Sequence, residues 1–539
     1  MKLAYHAAAD LSDRLLHDRV VEKIWQRDPG AWAAAPGSAD ARSIETRLGW
    51  LDVGKTMSAK LKQVHHLRDE VKAERFERAY LLGMGGSSLC AEVMSSVFGV
   101  AEGFPQLTVL DTTDELTLTT AANRLDPART LFIVASKSGS TVEVASMERF
   151  FWDRMTGAVG ADAGRHFIAI TDPETSLQKL AERRGYREVF INPGDIGGRF
   201  SALSLFGLVP AAVIGAPVDT LLSAGAAMAE GCRQHNHANA GLELGAFMGA
   251  AGLDGRDKLT VALAPSFATL GLWIEQLVAE STGKHGKGLL PVVDEPLGRP
   301  DEYGADRAFV SIASESDAAD EERMAALEAA GFPVLRLSIR HDGIGAEFFR
   351  WEFATAIAGA ALVINPFDEP NVSEAKEKTK ALLSSFAANG RFDDTPPSAS
   401  AESVRHAIAS LRAGDYAAFL SYLPGESDVE EALGEIRTEL RSRTKVASTF
   451  GLGPRYLHST GQYHKGGPNT CVAFVLTTDD DTSTPIPDAG YSFSVLKRAQ
   501  ALGDVQTLEA HGRRVARLHF RSADMAAAEL KRIFTEALS

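Results

Sequence analysis

The 539-residue chain is poor in cysteine: only Cys90, Cys232 and Cys471 occur, far apart and without CxxC spacing. That excludes a disulfide framework and a cysteine zinc site, and it fits a reducing compartment. Long hydrophobic runs are also missing. The most apolar stretch, 203–218, is shorter than the roughly 20 residues a membrane helix needs. It contains Pro210 and Pro217 and reads as a buried helix and turn. The N-terminus, MKLAYHAAADLSDRLLHDR, carries charge throughout and lacks the apolar core of a signal peptide. Positive charge is in deficit too: 56 Lys and Arg stand against 71 Asp and Glu, for a formal net charge of −15. Such a surface repels nucleic acid and anionic membranes, so a bound phosphate must be held by a local site. The expectation is a cytoplasmic protein with no nucleic-acid partner and no membrane partner.

The chain is too long for one hydrophobic core, since cores stop growing beyond about 250–300 residues. Residues 1–55 read as an N-terminal helical segment. Beyond them, β-rich runs at 79–83, 107–110, 131–135, 166–171 and 188–191 alternate with helical stretches. A second series follows at 259–264, 289–293, 308–312 and 334–339. This alternation predicts βαβ units and mostly parallel sheets covered by helices. Pro396 and Pro397 mark a linker, after which runs at 472–477 and 514–520 predict a third unit. The expected architecture is α/β: two parallel-sheet α-β-α sandwich domains at 56–225 and 226–395, plus a smaller C-terminal α/β domain at 396–539.

Three loops could hold a phosphate. Gly83-Met84-Gly85-Gly86-Ser87-Ser88 follows a strand and opens a helix, where glycines admit a ligand and free N–H groups meet an anion. A tight turn would look the same. Ser136-Lys137-Ser138-Gly139-Ser140-Thr141 adds four hydroxyls and an ammonium at another helix start, without the spacing of a triphosphate P-loop. Plain helix capping is the other account of its hydroxyls. In Gly194-Asp195-Ile196-Gly197-Gly198-Arg199-Phe200-Ser201 the paired glycines leave Arg199 free to face a developing oxyanion, or to be a surface arginine on a turn.

The groups that could do chemistry lie further on. Gln276 and Glu280 are four apart and share one helical face. Glu280 closes that helix, where the negative dipole end makes a carboxylate a slightly better base; a solvated helix-end glutamate is the alternative. Lys376 falls in the first turns of a helix entered at Pro370, and a snorkelling surface lysine would sit there equally well.

Taken in order, GMGGSS, SKSGSTVE, GDIGGRFS, QLVAESTGK and NPFDEPNVSEAK resemble the motifs of the phosphoglucose isomerase family, from about residue 81 to 376. The first two motifs are shared by sugar isomerase (SIS) domains generally, so the two larger domains are expected to be SIS domains. The segment from Gly453 to Gly461, with His464-Lys465-Gly466-Gly467, resembles the isomerase half of transaldolase–phosphoglucose isomerase fusions. The resemblance implies interconversion of glucose 6-phosphate and fructose 6-phosphate without metal or cofactor, by a homodimer. Ser136, Lys137, Ser138 and Thr141 would bind the sugar phosphate, with Gly86 and Ser87 lining the same site. Glu280 would shuttle a proton between C2 and C1, Arg199 would stabilise the enediolate and Gln276 would orient substrate. Lys376 would assist ring opening, with Glu143 near it or the sugar hydroxyls.

The family also uses a histidine in ring opening, often from a neighbouring subunit, and its usual motif is missing between Glu280 and Lys376. Only His285 and His341 lie there, and His341, just before a helix, is the first choice. His458 or His464 of the third domain is the other. The pair His458-x5-His464 lacks further ligands at metal-binding spacing and reads as a polar loop. Two alternatives stay open: a dual phosphoglucose/phosphomannose isomerase, and a non-catalytic SIS-domain phosphosugar sensor. A sensor has no use for Arg199, Glu280 and Lys376 together.

Overall fold

The computed structural model describes residues 4–314, 317, 320–424, 427–480 and 482–539. Three parallel sheets follow one another along these residues. The first has β1 (Arg78–Leu82), β2 (Gln106–Leu110), β3 (Thr130–Ala135), β4 (Phe167–Thr171) and β5 (Glu188–Ile191), in the order β2-β1-β3-β4-β5. The second has β6 (Lys258–Leu263), β7 (Leu290–Val292), β8 (Arg307–Ser314) and β9 (Val334–Ile339), ordered β7-β6-β8-β9. The third has β10 (Tyr416–Ser421), β11 (Ala447–Leu452), β12 (Cys471–Thr478) and β13 (Arg514–Phe520), ordered β11-β10-β12-β13. In all three the chain winds outward one way from the first strand and the other way from the third. That leaves a crevice at the carboxyl ends between those two strands, where doubly wound sheets bind their ligands.

The central strands owe their place to composition. β3, Thr-Leu-Phe-Ile-Val-Ala, is buried at every residue, as expected of a strand covered on both faces by helices. The third sheet departs from expectation, because it adds β10 and β11 to the two strands that the sequence pattern marks. Tyr-Ala-Ala-Phe-Leu-Ser and Ala-Ser-Thr-Phe-Gly-Leu share one β-branched residue, Thr449, so they lack the composition of an obvious strand. They complete a sheet with the same winding as the second.

One hydrophobic core runs from the N-terminal helices through the first two sheets. Helix His6–His17 packs on Ala240–Leu253, and Trp25 and Trp50 lie against Phe349 and Phe353 of Ile344–Leu362. The N-terminal segment is thereby bound to the second sheet's helices. The third sheet has its own core on one face. Its other face joins Ala279, Leu290 and Val292 to Tyr416, Tyr456 and Tyr463. The helix Val372–Asn389 lies along Phe493–Ala510, which ties the segment before the linker to the third domain. Among the described residues no helix is long and apolar enough to cross a membrane.

Candidate active site

The loops after β1 and β3 flank the crevice of the first sheet, and both are shaped by glycine. Gly85 has φ +55°, and a Cβ there would come 2.6 Å from the carbonyl oxygen of His458. A Cβ on Gly86 would come 2.0 Å from the carbonyl oxygen of Gly198. Two glycine loops thus meet backbone to backbone, with a loop of the third domain pressed onto them. Only glycine allows such an approach.

Arg199 projects from the second of these loops and is 3% exposed. Its Nε donates to Ser281 Oγ at 2.8 Å, and its Nη2 to the carbonyls of Pro366 (2.7 Å) and Asp368 (2.9 Å). Nη1 donates to Glu369 at 3.1 Å and lies 3.7 Å from Glu280 Oε1. The guanidinium is therefore fixed, with one edge toward Glu280. Glu280 lies near the end of the buried helix Leu270–Thr282. Its Oε2 accepts from Gln276 Nε2 at 3.1 Å, and that same nitrogen donates to the His458 carbonyl at 2.8 Å. Burial raises the Glu280 carboxyl above its ordinary value, against the opposing pull of Arg199. Desolvation, not the helix dipole, is the main cause.

Glu143, in the first turn of Val142–Val159, is buried. Its Oε1 accepts from Gln500 Nε2 at 2.7 Å and lies 3.0 Å from His458 Nε2. Burial alone would raise its carboxyl, yet His458 beside it holds it below the ordinary value. An ionised Glu143 calls for a proton on Nε2 of His458. At the start of the same helix the Thr141 side chain makes no cap, so its hydroxyl does not occupy the first N–H groups, where a helix favours an anion. Lys137 is paired with Asp172 and donates to the Gly194 carbonyl at 3.1 Å.

These groups border two adjoining cavities of about 360 and 310 Å3, which share Lys376 and His458. Gly86, Lys137, Arg199, Gln276 and Glu280 line the first. Ser138, Thr141 and Glu143 line the second. The structure does not bring all the predicted residues there. Ser87 is buried behind Gly86, and Ser136 is buried with its hydroxyl 3.1 Å from that of Thr141. His341 is corrected: it is exposed, its ring 4.9 Å from Phe267, and it borders neither cavity. Its turn leaves β9, the outer strand of the second sheet, away from the crevice between β6 and β8. His285 is exposed on a loop. His464 is buried with Nδ1 2.8 Å from the Tyr416 hydroxyl, and burial pushes it down to about 3, so it stays neutral.

The phosphoglucose isomerase family matches residues 65–289. The glucose-6-phosphate isomerase of Lactobacillus helveticus is 30% identical over 304 residues, 48% of this chain and 68% of that one. The chain belongs to the phosphoglucose isomerase family. The glucose-6-phosphate isomerase of Carboxydothermus hydrogenoformans is 27% identical over 397 residues, 62% of this chain and 85% of that one. A hypothetical protein of Thermus thermophilus superimposes with a TM-score of 0.61 at 25% identity, covering 70% of this chain and 98% of that one. The fold is also that of a glucose-6-phosphate isomerase of Chlamydia trachomatis, with a TM-score of 0.54 at 17% identity, covering 70% of this chain and 86% of that one. The family match includes Arg199 and Glu280 and ends before Lys376 and His458.

Sequence reasoning missed several residues of the site. Glu369, which accepts from both Arg199 and Arg47, sits inside the NPFDEP motif and was within reach as its second acid. Arg47 and Gln500 carried no signal. They reach the site from the N-terminal segment and from a third-domain helix, a proximity that only the tertiary fold creates.

Proposed function

We propose that this chain interconverts glucose 6-phosphate and fructose 6-phosphate through a cis-enediol, a reading carried by Glu280 held 3.7 Å from Arg199 in a buried pocket. Glu280 takes the proton from C2 of the open-chain aldose. The negative charge left on O1 is stabilised by Arg199, the O2 hydroxyl proton passes to O1, and the proton held by Glu280 returns to C1 as the C2 carbonyl forms to give the ketose. Gln276, bonded to Glu280, orients the substrate and the base together. Ring opening moves a proton from the anomeric hydroxyl to the ring oxygen. His458, steadied by Glu143, takes that role in place of His341, with Lys376 beside it. The phosphate sits at the open helix start on Ser138, Ser140 and Thr141, with Lys137 near, while Ser136 and Ser87 support the loops from behind.

The working unit is read as an N-terminal segment of 1–55 followed by domains at 56–225, 226–395 and 396–539. Family resemblance supports a homodimer, and three unpaired buried cysteines favour the cytoplasm. Every residue given a role here comes from one chain. The test is a coupled assay of fructose 6-phosphate conversion by the purified protein without added metal. Turnover supports the isomerase. Tight phosphosugar binding without turnover overturns it in favour of a sensor.

A further inference from the structure

A cavity of about 440 Å3 opens at the carboxyl end of the third sheet, a size common among small-molecule sites. The loop after β12, which follows the third strand of its sheet as the Ser-rich loop does in the first, contributes Asp479 and Asp480. Val475 and Thr477 of β12 stand in register with Arg517 and His519 of β13, so one face of the sheet forms a wall. Opposite it, the helix Phe493–Ala510 presents Lys497, Arg498 and Leu502. The third wall is an aromatic pair, Phe386 and Phe392, with ring centroids 5.0 Å apart.

The charges on these walls are unequal in their pairing. Lys497 is matched by Asp114 at 3.0 Å and by Asp480, and Arg517 is held by both oxygens of Asp394. Arg391 and Arg498 have no carboxylate partner among the described residues. Arg498 donates to the Asp394 carbonyl at 2.9 Å, and its guanidinium lies 5.4 Å from the centre of the Phe392 ring. Two uncompensated guanidiniums beside an aromatic pair suit a ligand that joins an anion to a flat ring.

The same two helices reach the candidate active site. Val372–Asn389 brings Lys376 to that site and Phe386 to this cavity, ten residues or about 15 Å further along. Phe493–Ala510 sends Gln500 to Glu143 and turns Lys497 and Arg498 toward this cavity. We propose that this cavity, between the third sheet and residues 386–394, is a second ligand site, for a nucleoside monophosphate or a compound of that build, whose occupancy alters turnover at the first. The effect on turnover rests on the isomerase reading; the binding does not.

Calorimetry on the full-length protein with AMP, adenosine and inorganic phosphate tests the site. AMP is expected to bind, with adenosine and phosphate each at least tenfold weaker. The double variant Arg391→Ala/Arg498→Ala changes two exposed side chains. It should lose AMP affinity at least tenfold while keeping kcat and KM for fructose 6-phosphate in the absence of AMP. AMP should shift kcat or KM of the wild type and not of the double variant. Absence of AMP binding at millimolar concentration overturns the proposal. So does binding that fructose 6-phosphate displaces competitively, or binding that the double variant retains. AMP binding with unaltered turnover in an active enzyme overturns the coupling. If the protein binds AMP as described but isomerises nothing, the isomerase reading fails and the site stands.

Discussion

The two ends of the candidate active site are built differently. At one end Glu280, Arg199 and Gln276 are buried, and each side chain is held by at least one polar partner. At the other end Ser138, Ser140 and Lys376 are exposed, and the two serine hydroxyls bond only to local groups within their own loop. The buried end keeps water away from a carboxylate and a guanidinium, where fixed charges act most strongly on charge that develops in a transition state. The exposed end suits a dianion that must enter and leave with its water. The proposed mechanism therefore assigns chemistry to the dry end and grip to the wet end, and substitutions at the two ends should have different kinetic signatures.

The largest effect is expected from Glu280→Gln, which leaves the shape and the Gln276 contact in place and removes the base. Turnover should fall by about 10²–10⁴-fold, the usual worth of a positioned base, with phosphosugar affinity retained. Near-normal kcat would remove Glu280 from the mechanism. Next comes His458→Asn, at the border of the two ends. A loss on the order of 10²-fold is expected for hexose 6-phosphates, at the lower end for a general acid–base group. A tetrose 4-phosphate has no free hydroxyl on C4, so it stays open-chain and should exchange its C2 proton at the wild-type rate. Equal losses on both substrates would sink the ring-opening role and leave the His458 side chain as a tie to Glu143 that holds its loop in place.

The contrast between the ends also explains what the sequence could disclose. Local features were legible: the glycines before a helix, the serine run before another, and Gln276 with Glu280 one turn apart. Each of these is a motif whose meaning lies within a few residues. The histidine beside Glu143 was only partly legible, as one of two alternatives to His341. His341 falls between the glutamate and lysine motifs in sequence yet hangs from an outer strand, while His458 arrives from another domain and packs onto Gly85. The strands that carry its domain were hidden as well, because β10 and β11 are rich in Ala, Ser and Gly and gain their strand character from neighbours. The cause of the Glu280 shift was likewise out of reach: a helix end is visible in sequence, but burial by three domains is not.

That burial has a consequence for pH. In the proposed mechanism Glu280 must be ionised to accept the C2 proton, and its raised value means that it protonates earlier as pH falls. The acid limb of kcat/KM should therefore lie above the ordinary carboxylate range, each pH unit below it costing about tenfold. Glu143 is held low by His458 and should stay ionised through that window. A limb at the position of an exposed glutamate would show that Glu280 is hydrated in the working enzyme and that the dry end is not dry.

The smallest effects should come from the exposed end. In the proposed binding mode Ser138→Ala and Ser140→Ala each remove one hydroxyl from the phosphate, worth about 1 kcal/mol or roughly fivefold in affinity. The phosphate takes no part in the proton transfer, so the loss is the same for bound substrate and transition state. It should appear in KM, with kcat unchanged. Ser136→Ala, in the same loop but buried against Thr141, provides the counterpart. Its lost hydrogen bond should lower the thermal stability of the loop's domain more than it changes KM. A fall in kcat for Ser138→Ala or Ser140→Ala would mean that the wet end also positions the reacting carbons, and the division between grip and chemistry would fail.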